Sequence, residues 1–154
     1  MQIRMATLAD LDSIESLWRE MMDFHVVLDD YFTLAPEADT NHREYMAGLI
    51  QDEAKRVFIA EDDGLLLGYL MAEVCNYPPI YVHKSYGHIG AISVTESARR
   101  RGVGRQLLEI ALEWFREQKL QRVECGVAVE NLVSQAFWKG LGFRDFVETH
   151  VLEL

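Results

Sequence analysis

The order of its periodic segments predicts that this chain folds as a mixed α/β domain around one central sheet. Three observations carry that expectation. Strand-like and helix-like segments follow one another as β, α, α, β, β, β, α, β, α, β, β, which is six to seven strands and about four helices. The connections are short, with no repeat, low-complexity tract or Pro/Gly/Ser linker. The 154 residues, 49% of them apolar and 26% charged, suit one domain with a sizeable core, so residues 1–154 are read as a single unit.

Residues 2–6 read as a short strand. Thr7 and Asp10 offer helix N-caps, and Leu11, Ile14, Leu17, Trp18, Met21 and Met22 then recur at helical spacing. The stretch from Phe24 to Thr40 has no clear period and reads as a loop or broken helix. A weaker helical pattern runs from about Asn41 to Asp52. Arg56 to Glu61 and Leu65 to Val74 read as two strands. Asp62-Asp63-Gly64 between them is a hairpin turn, because glycine tolerates the positive φ that such turns need. Asn76 to Gly87 reads as a loop with Tyr77, Tyr81 and Tyr86, and His88 to Val94 as a strand. Arg101 to Gln118 is a helix by the spacing of Val103, Leu107, Ile110, Ala111 and Trp114. Arg122 to Val129 reads as a strand, Asn131 to Leu141 as a helix ended by Gly142, and Phe143 to Leu154 as one or two last strands.

Charge and composition exclude several classes. The longest uncharged apolar run, Gly64 to Ala72, is nine residues. A membrane helix needs about 20, so no membrane association is expected. The opening residues lack the basic-then-apolar layout of a signal peptide, and a cytoplasmic location is the expectation. The net charge of −10 disfavours nucleic-acid binding, which needs basic surface, and suits a cationic substrate. Cys75 and Cys125 form no metal-ligand spacing and read as idle or buried thiols. The spacing of His25, His42, His83, His88 and His150 suggests no metal either.

Within this acidic chain, Arg99, Arg100, Arg101 and Arg105 stand together where a strand ends and a helix begins. Gly102 and Gly104 lie among them. Glycines at such a turn let backbone N–H groups approach a ligand, and the first helical turn presents unpaired donors and partial positive charge. Together these make an anion site suited to a diphosphate, with guanidiniums adding charge-assisted contacts. The P-loop pattern fails because Arg105 and Gln106 follow Gly104. The dinucleotide pattern fails because Leu107 stands where its last glycine would be. The pattern R/Q-x-x-G-x-G/A fits as Arg99-x-x-Gly102-x-Gly104. A tight turn with a solvated arginine run is the competing reading of the same residues.

Three motifs in order resemble the GNAT superfamily of N-acetyltransferases, over essentially the whole chain. Ile3-Arg4-x-Ala6-Thr7-x-x-Asp10-Leu11 looks like the family's first strand and helix entry. Ile92-x-Val94 with the arginine–glycine turn looks like its CoA-binding motif. Asn131 through Phe137-Trp138-Lys139-Gly140-Leu141-Gly142-Phe143 looks like its next motif. The resemblance implies a mixed, mostly antiparallel twisted sheet splayed between the fourth and fifth strands, and acetyl-CoA as co-substrate. Main-chain groups of Ile92, Ser93 and Val94 would meet the pantetheine arm. The segment Arg99, Arg100, Arg101, Gly102, Val103, Gly104 and Arg105 would hold the phosphates. Asn131, Ser134, Phe137 and Trp138 would complete the CoA site, although Asn131 also suits a helix N-cap.

The chain departs from the family pattern at two positions. Trp138 stands where many members have a tyrosine placed to protonate the leaving thiolate, and Ser134 replaces the usual alanine. An indole is not a useful proton donor in acid–base chemistry, but a thiol pKa near 8.5 makes unassisted departure workable. The attacking amine must lose a proton, and His88 is the first candidate base, with Glu73, Glu124 or water as alternatives. The backbone N–H of Val94 is the candidate oxyanion donor by resemblance. Asp29, Asp30 and Tyr31 could hold a cationic acceptor, and Tyr77, Tyr81 and Tyr86 could wall an aromatic slot. The expected function is acetyl transfer to a small-molecule or protein amine. A non-catalytic acyl-CoA sensor and an interaction domain with a structural arginine turn are the alternatives. A homodimer is a family-level expectation.

Overall fold

The computed structural model describes residues 1–154. Five strands form one sheet in chain order: β1 (Gln2–Met5), β2 (Lys55–Asp62), β3 (Leu65–Asn76), β4 (Ser85–Val94) and β5 (Val123–Cys125). The helices are α1 (Leu11–His25), α2 (Ala38–Gln51), α3 (Val103–Glu117) and α4 (Leu132–Gly140). The first three pairings are antiparallel; β4 and β5 are parallel, joined through α3. Asp63 and Gly64 both have positive φ, so the Asp62-Asp63-Gly64 hairpin forms where the sequence places it.

The sheet is buried on both faces, which is why its inner strands read as continuous apolar runs. Along β2 and β3, Phe58, Ala60, Leu70 and Ala72 face α3 and α4. Their alternates Val57, Ile59, Tyr69 and Met71 face α1 and α2. The α3 residues Val103, Leu107, Ala111 and Trp114 all reach the first of these layers, as their spacing requires. Ile14, Leu17, Met46 and Leu49 close the second. The register slips once between β3 and β4. Met71 pairs with Ala91 and Ala72 with Ile89, so Gly90 is an extra residue on β4.

The expected six to seven strands are corrected to five. Residues 143–154 form no strand, and β5 spans three residues rather than the expected 122–129. The alternation in the C-terminal segment supplies β propensity, but a ladder needs an edge to pair with. A three-residue β5 offers almost none, and Phe146, Val147, Val151 and Leu152 stay exposed. Other boundaries move less. The central helix starts earlier, at Ala38, and a single 3-10 turn, Asp30–Phe32, interrupts the Phe24–Thr40 connection. No helix is long and apolar enough to cross a membrane.

Polar contacts fasten α1 and α2 to this frame. Arg4 donates to Asp10 and to Glu61, each at 2.8 Å, and its guanidinium holds the Asp10 carboxyl down at about 2. On α2, the His42 ring stacks on Trp18 with centroids 3.9 Å apart, and its Nδ1 is buried without a partner. Burial lowers the His42 pKa from 6.5 to about 4.

The folded protein therefore holds His42 neutral where the unfolded chain would protonate it. The stability gained is complete above pH 6.5 and is lost as the pH falls from 6.5 through 4. Denaturation midpoints measured across that window should drop in the wild type. They should drop less in His42→Phe, by on the order of 1 kcal/mol after discounting for partial exposure.

Candidate active site

Two features of β4 define the site. The first is its outer edge. β4 pairs with β5 only at Gly87, His88 and Ile89; from Gly90 to Val94 that edge has no strand partner. The N–H of Thr95 donates to the Leu67 carbonyl at 2.9 Å, toward β3. Backbone groups alternate along a strand, so Val94 and Ile92 turn their N–H and C=O groups to the open side. Ser93 lies between them, buried, and pairs with Tyr69.

The second is the turn that follows. A 3-10 turn, Glu96–Ala98, is pinned by fully buried Ala98, and the chain then passes through Arg100 at φ 62° and Gly102 at φ 81°. Left-handed backbone at Gly102 carries no Cβ penalty, and α3 starts immediately afterwards. The first helical bond joins the Gln106 N–H to the Gly102 carbonyl at 3.1 Å. None of the backbone N–H groups from Arg100 through Arg105 donates to another group of the chain. A Cβ on Gly104 would lie 3.3 Å from the Phe137 ring, so glycine there lets α4 close against the start of α3.

The arginines of the turn divide. Arg99 is committed: its Nε donates to the Val94 carbonyl at 3.1 Å and Nη2 pairs with Glu20 at 2.8 Å. Arg100, Arg101 and Arg105 are exposed and enter no ion pair. On α4, buried Asn131 acts as N-cap, its Oδ1 accepting from the Ser134 N–H at 3.0 Å. Phe137 packs over the turn, and Trp138 is buried in the core between Phe137 and Phe143.

A polar row crosses the sheet on the α1/α2 face, where β4 still touches β5. His88 stands opposite Glu73 on β3 and opposite Glu124 on β5. His88 Nδ1 lies 3.1 Å from Glu73 Oε1, and Lys55 Nζ lies 3.7 Å from the other oxygen of that carboxylate. The Tyr77 hydroxyl donates to Glu124, and Arg122 approaches the same oxygen at 3.4 Å. Burial, and then the bond to Glu124, push the Tyr77 hydroxyl up to about 12, so it remains a donor at neutral pH. Tyr77 stacks on Tyr86 at 4.4 Å and meets Tyr81 edge-on at 6.4 Å.

The three candidate bases named from the sequence thus fall in one row, and the three tyrosines gather beside it. Asp29, Asp30 and Tyr31 do not join them. Asp29 caps its own turn by accepting from the Tyr31 N–H at 2.8 Å, and Tyr31 leans on Phe32. Sequence reasoning gave no role to Lys55 and Arg122 and read Cys75 as an idle or buried thiol. The spacing of Glu73, Cys75 and Tyr77 at alternate positions was the available signal, since it puts them on one face.

Comparison with known proteins places the chain in a family. The model of the Acetyltransferase (GNAT) family matches residues 14–143. An uncharacterized N-acetyltransferase from Archaeoglobus fulgidus is 27% identical over 88% of this chain and 90% of its own length. An N-alpha-acetyltransferase from Sulfolobus acidocaldarius is 28% identical over 94% of this chain and 80% of its own. Among solved structures, a mutant of the BH1408 protein from Bacillus halodurans superposes with a TM-score of 0.92 at 24% identity, covering 100% of this chain and 99% of that one. An aminoglycoside N-acetyltransferase, AAC(6')-Iy, in complex with CoA superposes at 0.75 with 21% identity, covering 99% and 98%. The chain belongs to the acetyltransferase (GNAT) family. It is an acyltransferase of the N-acetyltransferase class.

The Asn131 cap gives a direct check on this geometry. Asn131→Ala should lower stability by about 1 kcal/mol, read from denaturant midpoints, because it leaves the Ser134 N–H without its acceptor.

Proposed function

We propose that this protein transfers the acetyl group of acetyl-CoA to the primary amine of a small molecule or protein, by direct attack on the thioester. The run of unpaired N–H groups from Arg100 through Arg105, at the foot of α3, carries this reading. A diphosphate supplies the acceptor oxygens such a turn lacks, and Arg100, Arg101 and Arg105 supply countercharge in a chain of net charge −10. The open edge at Ile92 and Val94 suits an amide-bearing arm that pairs with main chain, as the pantetheine of CoA can.

In the proposed reaction, His88 takes one proton from the ammonium of the acceptor, and Glu73 at its Nδ1 orients the ring. The neutral amine nitrogen attacks the thioester carbonyl carbon, and a C–N bond forms. Charge collects on the carbonyl oxygen, where the outward N–H of Val94 serves as donor. The C–S bond then breaks and CoA leaves as thiolate. The second amine proton goes to the thiolate or solvent, leaving an amide and CoA thiol. With buried Trp138 in place of a tyrosine, the thiolate leaves without a phenol acid. Glu124 and the Tyr77, Tyr81 and Tyr86 group offer charge and aromatic faces to a cationic acceptor.

Calorimetric titration of the purified protein with acetyl-CoA tests the donor site, and an amine panel then tests turnover. Arg100→Ala and Arg105→Ala should each weaken binding by about tenfold, the equivalent of one charge-assisted contact of roughly 1.5 kcal/mol. His88→Ala should leave acetyl-CoA binding intact and lower kcat/KM by about 10²–10⁴-fold. Absence of binding at millimolar acetyl-CoA would remove the donor assignment.

A further inference from the structure

Glu73, Cys75 and His88 bring three different ligand-type side chains to one point of the sheet. One carboxylate oxygen, one sulfur and one ring nitrogen all lie within 4.8 Å of one another, and all three residues are half-buried. The backbone builds this cluster. Glu73 and Cys75 are alternate residues of β3 and share its α1/α2 face, while His88 of β4 sits directly opposite Glu73.

We propose that Glu73, Cys75 and His88 form a binding site for a zinc-like divalent transition ion, with water in the fourth position. The donor set selects the class of ion. Calcium and magnesium take oxygen ligands, whereas a mixed imidazole, thiolate and carboxylate set suits zinc and its neighbours. Metal–ligand bonds of about 2.0–2.3 Å in a tetrahedron set ligand atoms about 3.3–3.8 Å apart. His88 Nδ1 and Glu73 Oε1 already lie 3.1 Å apart, and all three ligand atoms lie within 4.8 Å of one another, so the adjustment that binding needs is on the order of 1 Å. Lys55, 3.7 Å from the other Glu73 oxygen, leaves Oε1 directed at His88. On binding, the metal–sulfur bond replaces the S–H bond of Cys75, whose proton passes to solvent, and neutral His88 donates a lone pair.

The site does not depend on the proposed reaction, but it has a consequence there. An ion on Nδ1, the His88 nitrogen that faces Glu73, places the ring proton on Nε2, so on that reading Nε2 has no lone pair for the amine proton and the base is silenced.

Cobalt(II) titration of the metal-stripped full chain reads the site without any assay of acetyl transfer. A negative result therefore bears on the metal site and not on the role of His88. A thiolate-to-cobalt charge-transfer band in the near ultraviolet and tetrahedral d–d bands in the visible should saturate with one ion per chain, and zinc should erase both. Cys75→Ser should lose the charge-transfer band. His88→Gln and Glu73→Gln should weaken binding by at least about tenfold. Cys125→Ser should retain both bands, because Cys125 packs on the opposite, α3 face of the sheet. Circular dichroism establishes that each variant is folded. No charge-transfer band at saturating cobalt, a band that survives Cys75→Ser, or one lost in Cys125→Ser would each overturn the proposal.

Discussion

The unequal pairing of β4 is the constraint on which the rest depends. On one side β4 runs alongside β3 from Ser85 to Val94; on the other it holds β5 at only three positions. Once that contact ends, the outer edge of Gly90 to Val94 is left with polar main-chain groups and no strand to satisfy them. Such an edge leaves main-chain N–H and C=O groups free to pair with an added strand-like partner. The same short β5 leaves the C-terminal segment without a ladder to join.

The arginine turn follows from where β4 ends. Buried Ala98 and the committed side chain of Arg99 hold the turn against the Val94 carbonyl and Glu20 of α1. The positive φ at Arg100 and Gly102 then swings the chain into α3 with its leading N–H groups unpaired. Local countercharge in an otherwise acidic protein gathers here because the other arginines are mostly spoken for. Arg4 is held by Asp10 and Glu61, and Arg43 by Asp12 and Glu15. Phe137 packs closely on this turn where position 104 lacks a Cβ, which couples α4 to the start of α3 through packing rather than through charge.

The other half of the site is a product of register. Lys55, Glu73, His88 and Glu124 lie on four different strands and form one row because each pairs directly with the next. The extra residue at Gly90 matters to that row. It lets Ile89 face the α3 core while Ala91 faces the α1/α2 core, with His88 and Glu73 still on the same side. A one-residue slip would send His88 into the apolar layer and leave Glu73 without its partner.

The sequence by itself determined the types and order of the elements as far as α4, and the strand–turn–helix proposed to hold an anion, because apolar period, glycine position and the arginine cluster are local signals. Turn chemistry was equally legible: Gly64, Gly102 and the Asn131 cap all act where their local sequence places them. It also supplied the list of polar side chains from which the second half of the site is built. Tertiary structure alone decided which of them meet. Nothing in the spacing shows that Arg99 is tied to Glu20, that Asp29 and Asp30 stand apart from His88, or that Cys75 sits beside it. Nor does propensity reveal that residues 143–154 find no strand partner. These outcomes depend on pairing register, a single inserted glycine and the length of β5, all of which are settled by contacts between segments far apart in the chain.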